Sequence, residues 1–496
     1  MGIKSVLSKP LAQWSMRGFY EAYKDPVLSQ KKCLKYLTTT ASRTLFGEEH
    51  RLGEVEDPLS YSEAVPVRDY EQFFSYIEKA KLGVPDVLWP GRPLYFCKTS
   101  GTTSGTKYIP LTKESMPNHI GSARNALFSY IAETGKSRFV DGKMIFLQGS
   151  PKLDKLDCGI PYGRLSGIVA NHVPAYLQKN RMPSYATNCI EDWETKVNAI
   201  AEETLKEDMR LISGIPSWVQ MYFEVLLKKT NRTNIRELFP NFDLFVFGGV
   251  NFEPYKAKFR DLIGFDIPSI ELYPASEGFI AFQNSQEDDG LLLNVDSGIY
   301  FEFIKASEYF EEKPRRYNLG EVELGVNYAI LLTTNAGLWS YSIGDTVKFT
   351  SLDPPKLRVT GRIKHYTSAF GEHVIAEEAE GVMSAAVDRF GLRINEFHLA
   401  PMVTPNEGLP YHEWFIEWDV RPENILEIAS FMDQEMARRN IYYRDLIAGN
   451  VLRSLIITNV RSGGFNDYMR SQGKLGGQNK IPRLSNDRKL ADALSK

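Results

Sequence analysis

The chain has 496 residues, with 59 Lys and Arg against 62 Asp and Glu, a formal net charge of −3, and 43% hydrophobic residues. Charge of both signs is mixed along the chain, which excludes the clustered basic footprint of a nucleic-acid-binding domain, and no run approaches the ~20 apolar residues of a membrane span. Single hydrophobic cores stop growing at about 250–300 residues, so two or more structural units are expected.

The four cysteines, Cys33, Cys97, Cys158 and Cys189, are far apart and form no CxxC pair. They read as reduced thiols of a cytoplasmic protein rather than a disulfide frame or zinc site. The opening MGIKSVLSKPLAQW lacks a signal-peptide apolar run, and Val6 stands where a myristoylation motif needs Ser or Thr. The expectation is a soluble monomer or weak dimer with no nucleic-acid and no membrane partner.

Residues from about 10 to 50 read as helical, with large apolar residues at 3–4 spacing around Phe19, Tyr20, Tyr23, Leu34, Leu37 and Leu45. A loop-like, Pro-rich stretch from Pro58 to Pro93 follows, interrupted by the helical run DYEQFFSYIEKAK. LYFCKTSGTTSGTKYIPLT then reads as a strand, a tight Gly/Ser/Thr loop and a second strand. Through the middle, the strand-like GKMIFLQG and FDLFVFGG alternate with the helix-like EDWETKVNAIAEETLKEDM, which predicts βα units on a mainly parallel sheet. From residue 290 the segments GIYFEFI, GEVELGVNYAILLTTNAG and LWSYSIGDTVKFT predict an antiparallel sheet or partial barrel. VTGRIKHYTSAFGEHVIAEEAEGVMSAAV shifts to a turn, a strand and a helix. The expected fold class is α/β: a large N-terminal domain, 1–361, of helix-flanked sheets plus a partial β-barrel, and a smaller mobile α+β domain, 362–496. No internal repeat or low-complexity tract is visible.

The segment Thr99-Ser100-Gly101-Thr102-Thr103-Ser104-Gly105-Thr106-Lys107 is the most specific feature. Glycines and small hydroxyl residues let backbone N–H groups close around phosphate oxygens, and Lys107 adds a point charge. It is not a P-loop, because a threonine separates Gly105 from Lys107 and a tyrosine follows. A ligand-free Gly/Ser/Thr hairpin is the alternative on composition alone. Tyr273-Pro274-Ala275-Ser276-Glu277 ends an apolar strand; its ring can stack on a base and its carboxylate can hold magnesium, or the glutamate is a surface group. Tyr341-Ser342-Ile343-Gly344-Asp345 is placed at a turn between strands, where an Asp either bonds its own backbone or accepts ribose hydroxyls. Gly361-Arg362-Ile363-Lys364 in isolation is an exposed charged turn.

In order, TSGTTSGTK, YPASE, YSIGD, GRIK and the late Asn479-Lys480-Ile481-Pro482-Arg483 resemble the acyl-adenylate-forming superfamily of acyl-CoA ligases and firefly luciferase. Within it the chain resembles the auxin-responsive acyl acid amido synthetases of plants and their bacterial relatives over nearly its whole length. QKKCLKYLTTTASRTLFGEEH and VPVRDYEQFFSYIEKAKLGVPDVLWPG are closer to this family than to the ligases. Pro274 departs from the plant form of its motif, which puts that strand's end in question. The late lysine motif is the shortest and least specific.

The resemblance implies that Ser100, Gly101, Thr102, Thr103 and Lys107 face the phosphates of ATP, and that Gly248, Gly249 and Tyr273 border adenine. It implies Ser276 near the α-phosphate, Glu277 on Mg2+, Asp345 and Arg362 on the ribose, Lys364 at the hinge, and Lys480 arriving with the small domain. The implied reaction joins a small-molecule carboxylic acid to the amine of an amino acid through an acyl-adenylate. An acyl-CoA ligase and a non-catalytic nucleotide-binding regulator are the alternatives. Tyr162, His172 and Trp218 are as well read as core residues as pocket residues.

Overall fold

The computed structural model describes residues 2–102, 105–172, 178–190, 193–248, 256–288, 290–363, 366–367, 369–372, 374–472 and 481–495. Helices open the chain: α1 (Ile3–Phe19), α2 (Pro26–Ala41), α3 (Pro58–Ala64) and α4 (Tyr70–Lys81). The stretch expected as loop from Pro58 is helical at its start. Pro58 sits in the first turn, where no N–H is needed, and Asp57 caps the Ser60 N–H at 2.8 Å. Asp69 caps α4 in the same manner, with Gln72 accepting back from the Asp69 N–H at 2.9 Å.

The hairpin β1 (Tyr95–Thr102) and β2 (Gly105–Leu111) pairs as the sequence predicts, and β1 also pairs in parallel with β5 (Pro161–Gly163). β3 (Lys143–Leu147), β7 (Met209–Gly214), β8 (Leu244–Gly248) and β9 (Ser269–Ala275) run parallel. β12 (Ile299–Lys305), β13 (Asn327–Thr334), β14 (Tyr341–Leu352) and β15 (Pro355–Arg362) run antiparallel. The two sets are not separate. The hairpin partner of β9, β10 (Gly278–Gln283), and the short β11 (Leu291–Leu293) join them edge to edge into one hydrogen-bonded sheet.

Strand β8 reads apolar at every position because both of its faces are buried. Leu244 and Val246 enter the core under the N-terminal helices, whereas Phe245 and Phe247 enter a second core on the opposite face. In the first core Trp339 stacks on Phe46 at 5.7 Å, and Phe46 stacks on Phe73 at 5.8 Å. The second core is continuous from the helix Pro216–Thr230 into the C-terminal unit. That unit carries a helix at Ala376–Phe390, a sheet of β18 (Arg393–Met402), β19 (Tyr411–Val420) and β20 (Ile456–Val460), and helices at Ile425–Arg439 and Ile441–Ala448.

Two of the three buried histidines among the described residues lie in the two parts of the chain: His119 in the helix Met116–Thr134, and His398 on β18 with Nδ1 2.7 Å from the Pro482 carbonyl oxygen. Burial drives both imidazoles down to about 4, the Pro482 carbonyl opposing it in part at His398. An unfolded histidine titrates near about 6.5. The unfolded chain therefore takes up these protons first, so the stability of neutral burial is complete above about pH 6.5 and is lost as pH falls toward 4. Urea unfolding at stepped pH should show stability falling across that window. His119→Gln should reduce the slope by up to one proton; an unchanged slope would count against neutral burial at His119.

Candidate functional site

In the β1–β2 hairpin Thr99 pairs with Lys107 and Thr102 with Gly105, and the register shifts between the two pairs. The bulge takes the Ser100-Gly101 backbone out of the regular ladder, freeing peptide groups that strand pairing would use. Lys107 is half-buried, its Nζ 5.6 Å from the centre of the Tyr70 ring on α4. The Tyr70 hydroxyl accepts the neighbouring Tyr108 N–H at 2.9 Å, so α4 holds both the lysine and the strand that carries it.

The buried Cys97 of β1 donates its thiol to Ser276 Oγ at 3.2 Å. Burial pushes that thiol up to about 12, which keeps it protonated as a donor and makes it a poor nucleophile. Ser276 and Glu277 form the two-residue reversal between β9 and β10, with Ala275 opposite Gly278. β9 continues through Pro274. Because proline lacks an N–H, the ladder is interrupted there, and the register of β10 shifts between Phe279 and Ala281.

Tyr273, one residue before Pro274, is 8% exposed, and its hydroxyl donates to Asp345 Oδ2 at 2.6 Å. Asp345 does not lie in a turn, as the sequence predicts; it lies within β14. The turn-like signal comes from Gly344, whose φ of +83° accompanies a register shift of β14 against β13. Asp345 pairs across the ladder with Arg362 at the end of β15. Gly248 closes β8 opposite Leu272, and a Cβ there would meet the Leu272 carbonyl oxygen at 2.3 Å, so β8 and β9 approach this closely only with glycine.

Four motifs separated by up to about 260 positions are therefore joined: the hairpin to Ser276 through Cys97, Tyr273 to Asp345, and Asp345 to Arg362. Thr103, Gly249, Lys364 and Lys480 lie outside the described residues. The segment following Lys480 is held along β18 by the Pro482 carbonyl bond to His398 and a parallel bridge between Leu399 and Leu484. Arg483 reinforces it through Glu396 and through the Phe397 ring, 4.7 Å from its guanidinium.

Three residues absent from the sequence reading border the hairpin. Tyr442, on Ile441–Ala448, donates its hydroxyl to Thr99 Oγ1 at 3.2 Å. Arg164 ion-pairs with Asp445 of the same helix at 2.7 Å, and its guanidinium lies 5.5 Å from the Tyr442 ring. Their motif signal is nil, because a tyrosine and an aspartate on a late amphipathic helix look like any surface pair. Of the residues left open, Tyr162 pairs with Phe96 beside the hairpin and His172 Nε2 lies 3.1 Å from the Tyr95 hydroxyl. Trp218 packs against the second core. Among the described residues no group of three His, Cys, Asp or Glu side chains forms a metal cage. A nucleotide-borne Mg2+ needs only one or two carboxylates, so the single Glu277 beside the hairpin fits it.

The fold is α/β, a parallel sheet that turns antiparallel at the Ser276 reversal, and comparison with known families is specific. The GH3 family N-terminal domain matches residues 15–184 and 165–267, its central domain 292–362, and its C-terminal domain 377–489. The chain belongs to the GH3 family. It is 24% identical to the jasmonoyl–L-amino acid synthetase JAR4 of Nicotiana attenuata over 66% of this chain and 67% of that protein. To the related JAR6 it is 21% identical over 94% and 92%. Among solved structures, AtGH3.15 acyl acid amido synthetase in complex with 2,4-DB superposes with a TM-score of 0.62 at 17% identity, covering 96% of this chain and 95% of that one. A 2-hydroxyisobutyryl-CoA ligase superposes with a TM-score of 0.58 at 14% identity, covering 94% and 91%.

The Tyr273–Asp345 bond carries a testable consequence for the architecture of the junction. Tyr273→Phe removes a hydrogen bond to a charged, nearly buried group, so urea denaturation should show a loss of about 1.5–3 kcal/mol. A loss below about 0.5 kcal/mol, within the range of an ordinary surface substitution, would show that Asp345 is held by other groups.

Proposed function

We propose that this chain activates a carboxylic acid with ATP as its acyl-adenylate and transfers the acyl group to the amine of an amino acid, giving an amide, AMP and pyrophosphate. The observation that carries this reading is the junction itself: a bulged Gly/Ser/Thr hairpin ending at Lys107, joined by side-chain contact to the Ser276 turn. Membership of the GH3 family, among whose relatives are named amino acid and amido synthetases, supports it. A coenzyme A ligase shares the fold, so the preference for an amine over a thiol rests on the family.

A free carboxylate is a poor electrophile, and attack on the α-phosphate of ATP converts it to a mixed anhydride whose leaving group is AMP. In this reading the backbone of Ser100, Gly101, Thr102 and Thr103 cradles the phosphates, and Lys107 meets charge developing on the departing pyrophosphate. Ser276 lies beside the reacting α-phosphate, and Glu277 would hold Mg2+, whose charge offsets that of the triphosphate when bound. Gly248, Gly249 and Tyr273 border adenine, while Asp345 and Arg362 take the ribose. Residues 362–496 act as a lid with its hinge at Lys364, and Lys480 reaches the phosphates when the lid turns toward them. We place the reaction in the cytoplasm; no helix among the described residues is long and apolar enough to cross a membrane.

Asp345→Ala should abolish most ATP binding, since two hydrogen bonds from ribose to a carboxylate contribute roughly 1.5–3 kcal/mol each. Calorimetric titration giving unchanged affinity in the folded variant would remove Asp345 from the site. Lys480→Ala should slow acyl-adenylate formation, followed as ATP–pyrophosphate exchange, by about 10²–10³. The same variant supplied with chemically made acyl-adenylate should still transfer the acyl group to an amine. Equal loss of both half-reactions, with circular dichroism unchanged, would sink the two-step lid.

A further inference from the structure

Helix α1 is apolar on both sides. Its inner face, Ser5, Ala12 and Met16, is buried against the body of the protein. Its outer face exposes Ile3 at 80%, Val6 at 55%, Leu7 at 63%, Leu11 at 50% and Trp14 at 74%, with Pro10 exposed among them. At 3.6 residues per turn these positions fall within roughly 140° of one another, opposite the buried face. The helix is held in this orientation. Asp141 accepts the Gly2 N–H at 2.8 Å and the Ser5 N–H at 3.0 Å, and Ser137 donates to the Ser5 carbonyl at 2.9 Å. From Ile3 to Trp14 the exposed ridge runs for about 17 Å, a continuous strip rather than the isolated apolar side chains that ordinary surfaces carry.

The charge on this helix selects the occupant. Lys4, Lys9 and Arg17 are its only ionisable side chains, and no Asp or Glu lies between Ile3 and Tyr20. A second copy packed on the same face would bring three cations against three cations. An anionic bilayer surface instead supplies an apolar layer for Ile3, Leu7 and Leu11 and a headgroup zone in which tryptophan settles and phosphates meet the basic flanks. We propose that α1 docks the protein flat on the surface of a membrane containing anionic lipids, with Ile3, Leu7, Leu11 and Trp14 inserted at the headgroup boundary and Lys4 and Arg17 paired with lipid phosphates. The contact is peripheral, on the surface of a bilayer rather than across it.

The experiment is flotation of the full-length protein with vesicles of phosphatidylcholine alone or mixed with phosphatidylglycerol, at low and at physiological salt. The expected result is co-flotation with the mixed vesicles, weakened by salt. Leu7→Glu combined with Trp14→Glu should abolish it, and each of Lys4→Ala and Arg17→Ala should weaken partitioning about fivefold. All these positions are exposed, and circular dichroism should report unchanged helix content. Flotation that is absent, or equal in wild type and Leu7→Glu/Trp14→Glu, overturns the proposal. So does a concentration-dependent dimer by light scattering that the same double variant abolishes while vesicles are ignored, which would make the occupant a second copy. The readout needs no turnover, so it stands or falls independently of the amide-forming reaction.

Discussion

The reversal of direction at Ser276 and Glu277 is the constraint on which the rest of the molecule depends. On one edge β9 pairs in parallel with β8; on the other, two residues later, the chain returns as β10 and pairs antiparallel. One short turn thus changes a βα sheet into an antiparallel one without breaking the hydrogen-bonded sheet. A ligand cleft in an open α/β sheet forms beyond the carboxyl ends of its parallel strands, and the turn sits at that edge for β9. The Cys97 thiol fixes the turn against the hairpin, so sheet geometry and site geometry share one contact.

Much of this was legible because each element repeats one physical signal along many residues. The fully apolar LFVF of β8 follows from burial on two faces, and the amphipathic run of α4 follows from burial on one. Local chemistry points to the wrong structure at two positions. Pro58 looks like a breaker but is a helix starter, because the first turn asks nothing of its missing N–H. Gly344 looks like a turn former but serves a bulge, which lets β14 run on past Asp345. Both errors come from residues whose backbone preference fits two structures, with only tertiary pairing to choose between them.

At the junction, the hairpin, Ser276 and Asp345 were recognisable as motifs, but the bonds among them were not. Nothing local in YPASE says that the tyrosine is buried or that its hydroxyl points at an aspartate 72 residues on. Tyr442, Arg164 and Asp445 were invisible for the same reason: their meaning lies only in the contact of a late helix with an early strand. The exposed ridge of α1 leaves no mark in the sequence, because apolar residues on both faces cancel the one-sided pattern of an amphipathic helix.

One sheet bond ties the chain entering the C-terminal unit to the strand of Asp345. The last pairing before the chain leaves β15 is the Ile363 N–H on the Gly344 carbonyl, adjacent to Asp345 in sequence. Any torque that the C-terminal unit exerts on the chain leaving Ile363 is therefore delivered to the strand that carries this carboxylate, one peptide away. A rotation of that unit loads the Asp345–Arg362 pairing like a lever on its fulcrum. Were the C-terminal unit to turn as proposed, product departure and that turn would share one mechanical coordinate, and stiffening this short span would slow both together.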